Sequence, residues 1–124
     1  IAVANPKTAP YGVATIDCLK YYYLLQSIEN KLVYGESIAQ VNQFISSKSA
    51  DVGFTALSVV LSPNLKNKGN WIELDNESYS PINQSVVLIE NDKSNSKEIE
   101  QFHQFLFSKK SKNILKEFGF IVNE

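Results

Sequence analysis

The chain has 124 residues, 44% hydrophobic and 20% charged, with a formal net charge of -1. That composition belongs to one globular domain rather than to a disordered chain, and apolar runs such as Val86 to Ile89 fall far short of the roughly 20 residues that cross a bilayer. Near-neutrality with scattered lysines excludes the basic footprint of a nucleic-acid binder, and a single cysteine, Cys18, excludes an internal disulfide or a thiolate metal cluster.

In chain order, Ile1 to Ala4 reads as a buried strand ended by Asn5-Pro6. From Gly12 to about Ser27, Val13, Ile16, Leu19, Tyr22 or Tyr23, and Leu25 recur at helical spacing, with Cys18 as a buried, inert thiol. The run "YYYLL" is expected to form a thick core face with one exposed ring. Lys31 to Gly35 is a second strand, and Ile38, Val41, and Phe44 or Ile45 mark a helix starting near Glu36-Ser37. Asp51 to Thr55 is a third strand, followed by a brief helix over Ala56 to Leu61. This βαβαβ rhythm predicts a mainly parallel sheet with helices on both faces, an α/β fold.

Beyond Ser62-Pro63 the texture changes. Polar loops flank a short strand at "WIEL" (residues 71–74), and Ser85 to Glu90 reads as an apolar strand. Two helical patterns follow, one through Ile99, Phe102, Phe105 and Leu106, the other through Ile114, Leu115 and Phe118, with Gly119 placed to end the last helix. Their apolar faces exceed what one small sheet needs. The chain contains no methionine and opens inside a strand, so it is expected to be a processed or truncated product, with any signal peptide upstream.

No phosphate-binding Gly-rich fingerprint, His-Glu zinc motif or Gly-x-Ser-x-Gly elbow is present. His103, the sole histidine, has neither a nucleophile nor an orienting acid nominated beside it, and the carboxylates of Glu73, Asp75 and Glu77 surround a loop. An enzyme on this fold would need a reactive side chain in the cleft, for which Tyr11, Tyr34 and Glu36 are the plausible occupants.

What remains are the strand-to-helix junctions. Ligands of parallel α/β sheets bind beyond the carboxyl ends of the strands, and the first amides of a helix lack intrahelical partners and carry the positive end of the dipole. At "APYG", Pro10 suits the first turn, Tyr11 and Gly12 would offer N–H groups, and Gly12 would admit a ligand close to the backbone. At "YGESIA", the amides of Ser37 and Ile38 are similarly available. Free amides occur at every helix start, so periodicity alone stops at an α/β domain.

Four motifs in order, "IAVANPKTAPYGVAT", "KLVYGESIAQVNQFI", "ADVGFTALS" and "FLFSKKSKNILKEFGF", resemble the C-terminal portion of the periplasmic molybdate-binding proteins, the substrate-binding components of molybdate ABC transporters. The resemblance covers almost the whole chain. It implies a lobe of the type II periplasmic-binding-protein fold, with residues 1–84 forming the second lobe. Residues 85–124 would form a hinge-crossing strand and returning C-terminal helices that pack on the first lobe, missing here. It implies no catalysis, no cofactor and no metal bound through side chains, but a molybdate or tungstate oxyanion held by backbone amides at Tyr11 and Ile38, with Gly12 and Ser37 in support. Some family members add a tyrosine hydroxyl after the third strand, where this chain has Ala56. The partners implied are the oxyanion, the transporter permease, and the missing N-terminal lobe or a second chain; the location is periplasmic or extracytoplasmic, without membrane insertion. A binder of sulfate, phosphonate or an iron complex, or the effector domain of a transcription regulator, would share the same lobe.

Overall fold

A computed structural model describes residues 1–89 and 96–122. Its centre is β1 (Ala2–Ala4), which runs parallel to β2 (Val33–Gly35) in the register Ala2↔Val33, Val3↔Tyr34, Ala4↔Gly35. On its other side Ala2 bridges Gly53, also in parallel. β1 is therefore the middle strand, and its three residues are at most 1% exposed.

The connections explain that burial. α1 (Pro10–Tyr21) links β1 to β2, and α3 (Ile38–Ser46) links β2 to the edge at Gly53. These edges lie on opposite sides of β1, so two right-handed crossovers put α1 and α3 on opposite faces. Ala2 and Ala4 pack with Val41 and Ala50, flanked by Ile38, Phe44 and Ile45. Val3 points to the other face, where Gly12, Thr15, Cys18 and Leu19 of α1 are buried. At Gly12 a Cβ would stand 2.3 Å from the Ala4 carbonyl oxygen. Only glycine lets α1 start this close to the strand.

The third expected strand, Asp51 to Thr55, is reduced to the single bridge at Gly53. Val52 and Phe54 exchange backbone bonds with Ala2, at 2.8 and 2.9 Å, after which Thr55 turns its hydroxyl onto the Asn42 side chain of α3. A three-residue central strand offers no longer ladder. The brief helix that follows is α4 (Leu57–Val60).

α1 also stops earlier than its apolar spacing suggests. Tyr23 adopts φ 58°, donating its N–H to Lys20 at 2.9 Å while Leu24 donates to Leu19 at 2.8 Å, a Schellman closure. The chain resumes as α2 (Leu25–Ile28) and a 3₁₀ turn at Glu29–Lys31. Consequently "YYYLL" wraps around a helix end and is no core face: Tyr21, Tyr22, Tyr23 and Leu24 are all exposed, Tyr23 by 93%.

Neither "WIEL" nor residues 85–89 belongs to a ladder among the described residues, contrary to expectation; Glu90 lies outside them. Exposure alternates along Val86, Val87, Leu88 and Ile89 at 45, 77, 42 and 76%, the period of an extended segment. The two tail helices are present as α5 (Ser96–Leu106) and α6 (Lys109–Glu117). Ser108 caps α6, and Gly119, at φ 79°, ends it with bonds from Gly119 to Lys116 and Phe120 to Leu115, both 3.0 Å. The Gly119 backbone sits against Leu57, where a Cβ would approach the leucine to 2.5 Å. The end of α6 is thus seated on α4.

Gly12→Ala is expected to lower the unfolding free energy by about 2–3 kcal/mol or more, because the obstructing atom is backbone. Tyr23→Gly should raise it by about 1 kcal/mol, by relieving a left-handed tyrosine at a helix end. Urea denaturation of both variants checks the pair.

Candidate functional site

Parallel pairing brings the carboxyl ends of β1 and β2 and the chain beyond Gly53 to one edge, and α1, α3 and α4 begin there. The turn after β1 is organised by Asn5. Its Oδ1 accepts from the Lys7 N–H at 3.0 Å, and its carbonyl accepts from the N–H groups of Thr8 and Ala9 at 3.1 and 2.9 Å. This Asx turn delivers Ala9 in extended conformation (φ -135°, ψ 127°) as N-cap, and Pro10 opens α1.

The turn after β2 is organised by Ser37 and Gln40. The Ser37 hydroxyl accepts from the Gln40 N–H at 3.3 Å, as an N-cap does. In a capping box the residue at Gln40 would return to the N-cap amide; here its Oε1 reaches one residue further back and accepts from the Glu36 N–H at 2.7 Å.

The two turns are bonded to each other. The Asn5 N–H donates to the Gly35 carbonyl at 2.7 Å. The Thr8 hydroxyl donates to the Glu36 carbonyl at 3.1 Å. The Asn5 side-chain amide donates to the Glu36 carboxylate, 3.2 Å from Oε1 and 3.4 Å from Oε2.

Donor accounting then separates the sequence-derived residues. The N–H of Tyr11 has no acceptor among the described residues, nor have those of Ser37, Ile38 and Ala39. The Gly12 N–H is engaged by the Ala9 carbonyl at 2.9 Å, so the demand for glycine there comes from the Ala4 backbone. Tyr11 and Ile38 are half-buried and Ser37 is exposed. Each helix start carries roughly half a positive elementary charge, so two groups of neutral donors lie at one edge.

An open groove of about 470 Å³ runs alongside the first turns of α1, with Pro6–Pro10, Val13, Ala14 and Asp17 on one side and Ser80–Asn83 on the other; Tyr11 does not line it. Tyr79 lies near it in sequence, its phenol donating to Asn76 Oδ1 at 2.9 Å. Burial, then the charges of Glu73, Cys18, Tyr11 and Asp75, hold that phenol above its ordinary range. Ala56 is buried as the N-cap of α4 and supplies no side-chain donor. Asp75 caps the 3₁₀ turn Asn76–Ser78 by accepting from the Glu77 N–H. His103 lies against the Phe107 ring, 5.0 Å between centroids, and lines an apolar groove with Val86, Leu88 and Phe102. Cys18 is buried and free, and no cluster of metal-ligating side chains occurs among the described residues.

Asn5, Thr8 and Gln40 were not legible as site residues. Asn5-Pro6 reads as a strand terminator, and the Ser37-x-x-Gln40 spacing is the one signal the sequence carries for Gln40.

The bacterial extracellular solute-binding protein family matches residues 1–121. The molybdate-binding protein ModA of Azotobacter vinelandii is 34% identical over 120 residues, covering 97% of this chain and 47% of that protein. The ModA of Rhodobacter capsulatus is 31% identical over 121 residues, covering 98% and 46%. The solved structure of the Azotobacter vinelandii periplasmic molybdate-binding protein superposes with a TM-score of 0.82 at 28% identity, over 99% of this chain and 54% of that one. The chain thus spans about half the length of the curated relatives it matches.

Asn5→Ala removes both the Asx turn and the link to Glu36. It should lower the unfolding free energy by about 1–2 kcal/mol and speed hydrogen exchange at Lys7, read by denaturation and by amide exchange.

Proposed function

The chain belongs to the bacterial extracellular solute-binding proteins, and we propose that it is the second lobe of one whose ligand is a tetrahedral metal oxyanion, molybdate and also tungstate. The observation that carries this reading is the pair of helix starts, tied together through Asn5 and Glu36, that present unengaged amides at Tyr11 and at Ser37–Ala39. The similarity to two proteins named for molybdate binding supports the choice of anion.

The chemistry is consistent with that ligand. A molybdate dianion accepts hydrogen bonds and has no proton to donate at neutral pH. Amides donate and cannot accept through nitrogen, so a protonated phosphate would set its O–H against another donor. Sulfate, the smaller tetrahedron, is then separated by size. No counter-cation is required, because the helix dipoles and charge-assisted bonds share the stabilisation.

In this reading Tyr11 and Ile38 hold the anion through their amides, with Ser37 in support, and further donors come from a first lobe preceding Ile1. The cleft lies between the lobes. Residues 85–124 cross to that lobe and return, and the exposed side chains of Phe102, Phe107 and Ile114 supply apolar surface for it. The complete protein works outside the cytoplasmic membrane and delivers its anion to an ABC-transporter permease. No helix among the described residues is long and apolar enough to cross a membrane.

Calorimetric titration of molybdate into the full-length gene product should give tight one-to-one binding that survives excess sulfate; loss to sulfate would overturn the choice of anion. Ile38→Pro removes one amide at a position where proline fits, since Ser37 before it is already extended (φ -151°, ψ 163°). Molybdate affinity should fall by about 10- to 100-fold, the loss of one bond to a charged acceptor. An unchanged affinity with an intact thermal transition would remove Ile38 from the site.

A further inference from the structure

Glu36 is exposed, yet three side chains from two different turns converge on it. Gln40 takes its N–H, Thr8 donates to its carbonyl, and Asn5 donates to its carboxylate. These contacts immobilise the residue immediately before Ser37, and therefore the amides of Ser37, Ile38 and Ala39, relative to the turn that carries Tyr11. The bond between Asn5 N–H and Gly35 ties the turns at the strand ends; the Asn5 side chain and Thr8 tie them one residue further on, at the level of the helix start.

We propose that the Asn5–Glu36 bond is a positioning device that sets the spacing between the two groups of amides, and so the size of tetrahedral dianion that this edge prefers. The inference rests on the oxyanion reading above. Donors held at a fixed separation cannot contract onto a smaller tetrahedron without leaving an N–H short of its acceptor, and an unmade bond in a closed site is costly. With the link removed, the α3 start can shift toward the smaller anion. Asn5 and Glu36 are positioning residues in this scheme and need not touch the ligand.

The test is the ratio of molybdate to sulfate affinity in the full-length gene product, measured by titration for molybdate and by displacement for sulfate. Asn5→Asp keeps the acceptor for the Lys7 N–H but sets a carboxylate against Glu36. Its added charge weakens both dianions alike, so the ratio reports geometry. Asn5→Asp combined with Glu36→Gln reverses the direction of the bond and restores the wild-type net charge. The ratio should fall about tenfold in the single variant and recover to within about threefold of wild type in the double. A ratio unmoved by Asn5→Asp, or a double variant as unselective as the single, overturns the inference while leaving the oxyanion reading intact. Failure of the wild-type protein to bind either anion overturns both. Should Asn5→Asp not fold, Glu36→Ala removes the same bond, and the same fall in ratio is expected.

Discussion

The architecture depends on the approach of α1 to the end of β1. Gly12 lies so close to the Ala4 carbonyl that no side chain fits between them, and that contact sets where α1 begins. β1 is three residues long and without exposure, so it works as a spacer between two helical layers. Its small side chains allow this. Ala2 and Ala4 on one face and Val3 on the other let α3 and α1 come close from both sides, and dispersion accumulates with that closeness.

From this packing follows the placement of the amides. Parallel strands end at the same edge, and a helix start there lacks acceptors for its first N–H groups. Loops usually relieve such donors with water or a side-chain cap. Here Ser37 caps one amide and Gln40 another, and each reaches past Ser37–Ala39. On the α1 side Pro10 has no N–H and Gly12 is satisfied by Ala9, leaving Tyr11 and Val13 without acceptors among the described residues. Selective capping narrows a general property of helices to a few donors on adjoining turns.

The remaining surface has a different character. Phe102 on α5, Ile114 on α6, Phe107 in the turn between them and the extended residues 86–89 leave apolar area uncovered, although the end of α6 is anchored on α4 through Gly119. Such faces call for apolar cover, which accords with a chain matching about half the length of its relatives.

Much of this was legible from the residues. The strand at Ile1 to Ala4, the helix starts at Pro10 and Ser37, and the glycine ending α6 follow from local chemistry: apolar runs, fixed proline φ, hydroxyl capping and tolerance of positive φ. Their order and spacing also carried the family resemblance, and that resemblance nominated Tyr11 and Ile38. What the chain did not disclose was decided by neighbours. "YYYLL" has helical periodicity, but the left-handed turn at Tyr23 takes it to the surface. "SVVLI" has strand composition, but a strand needs a partner ladder, and none pairs with it among the described residues. Gly12 read as room for a ligand, and tertiary packing shows that room filled by the Ala4 backbone. Asn5 and Glu36 are 31 residues apart in the chain, and no local pattern couples them. Helix starts are local events, which sequence determines; the distance between two of them is a property of the sheet that joins them, and only the folded chain decides it.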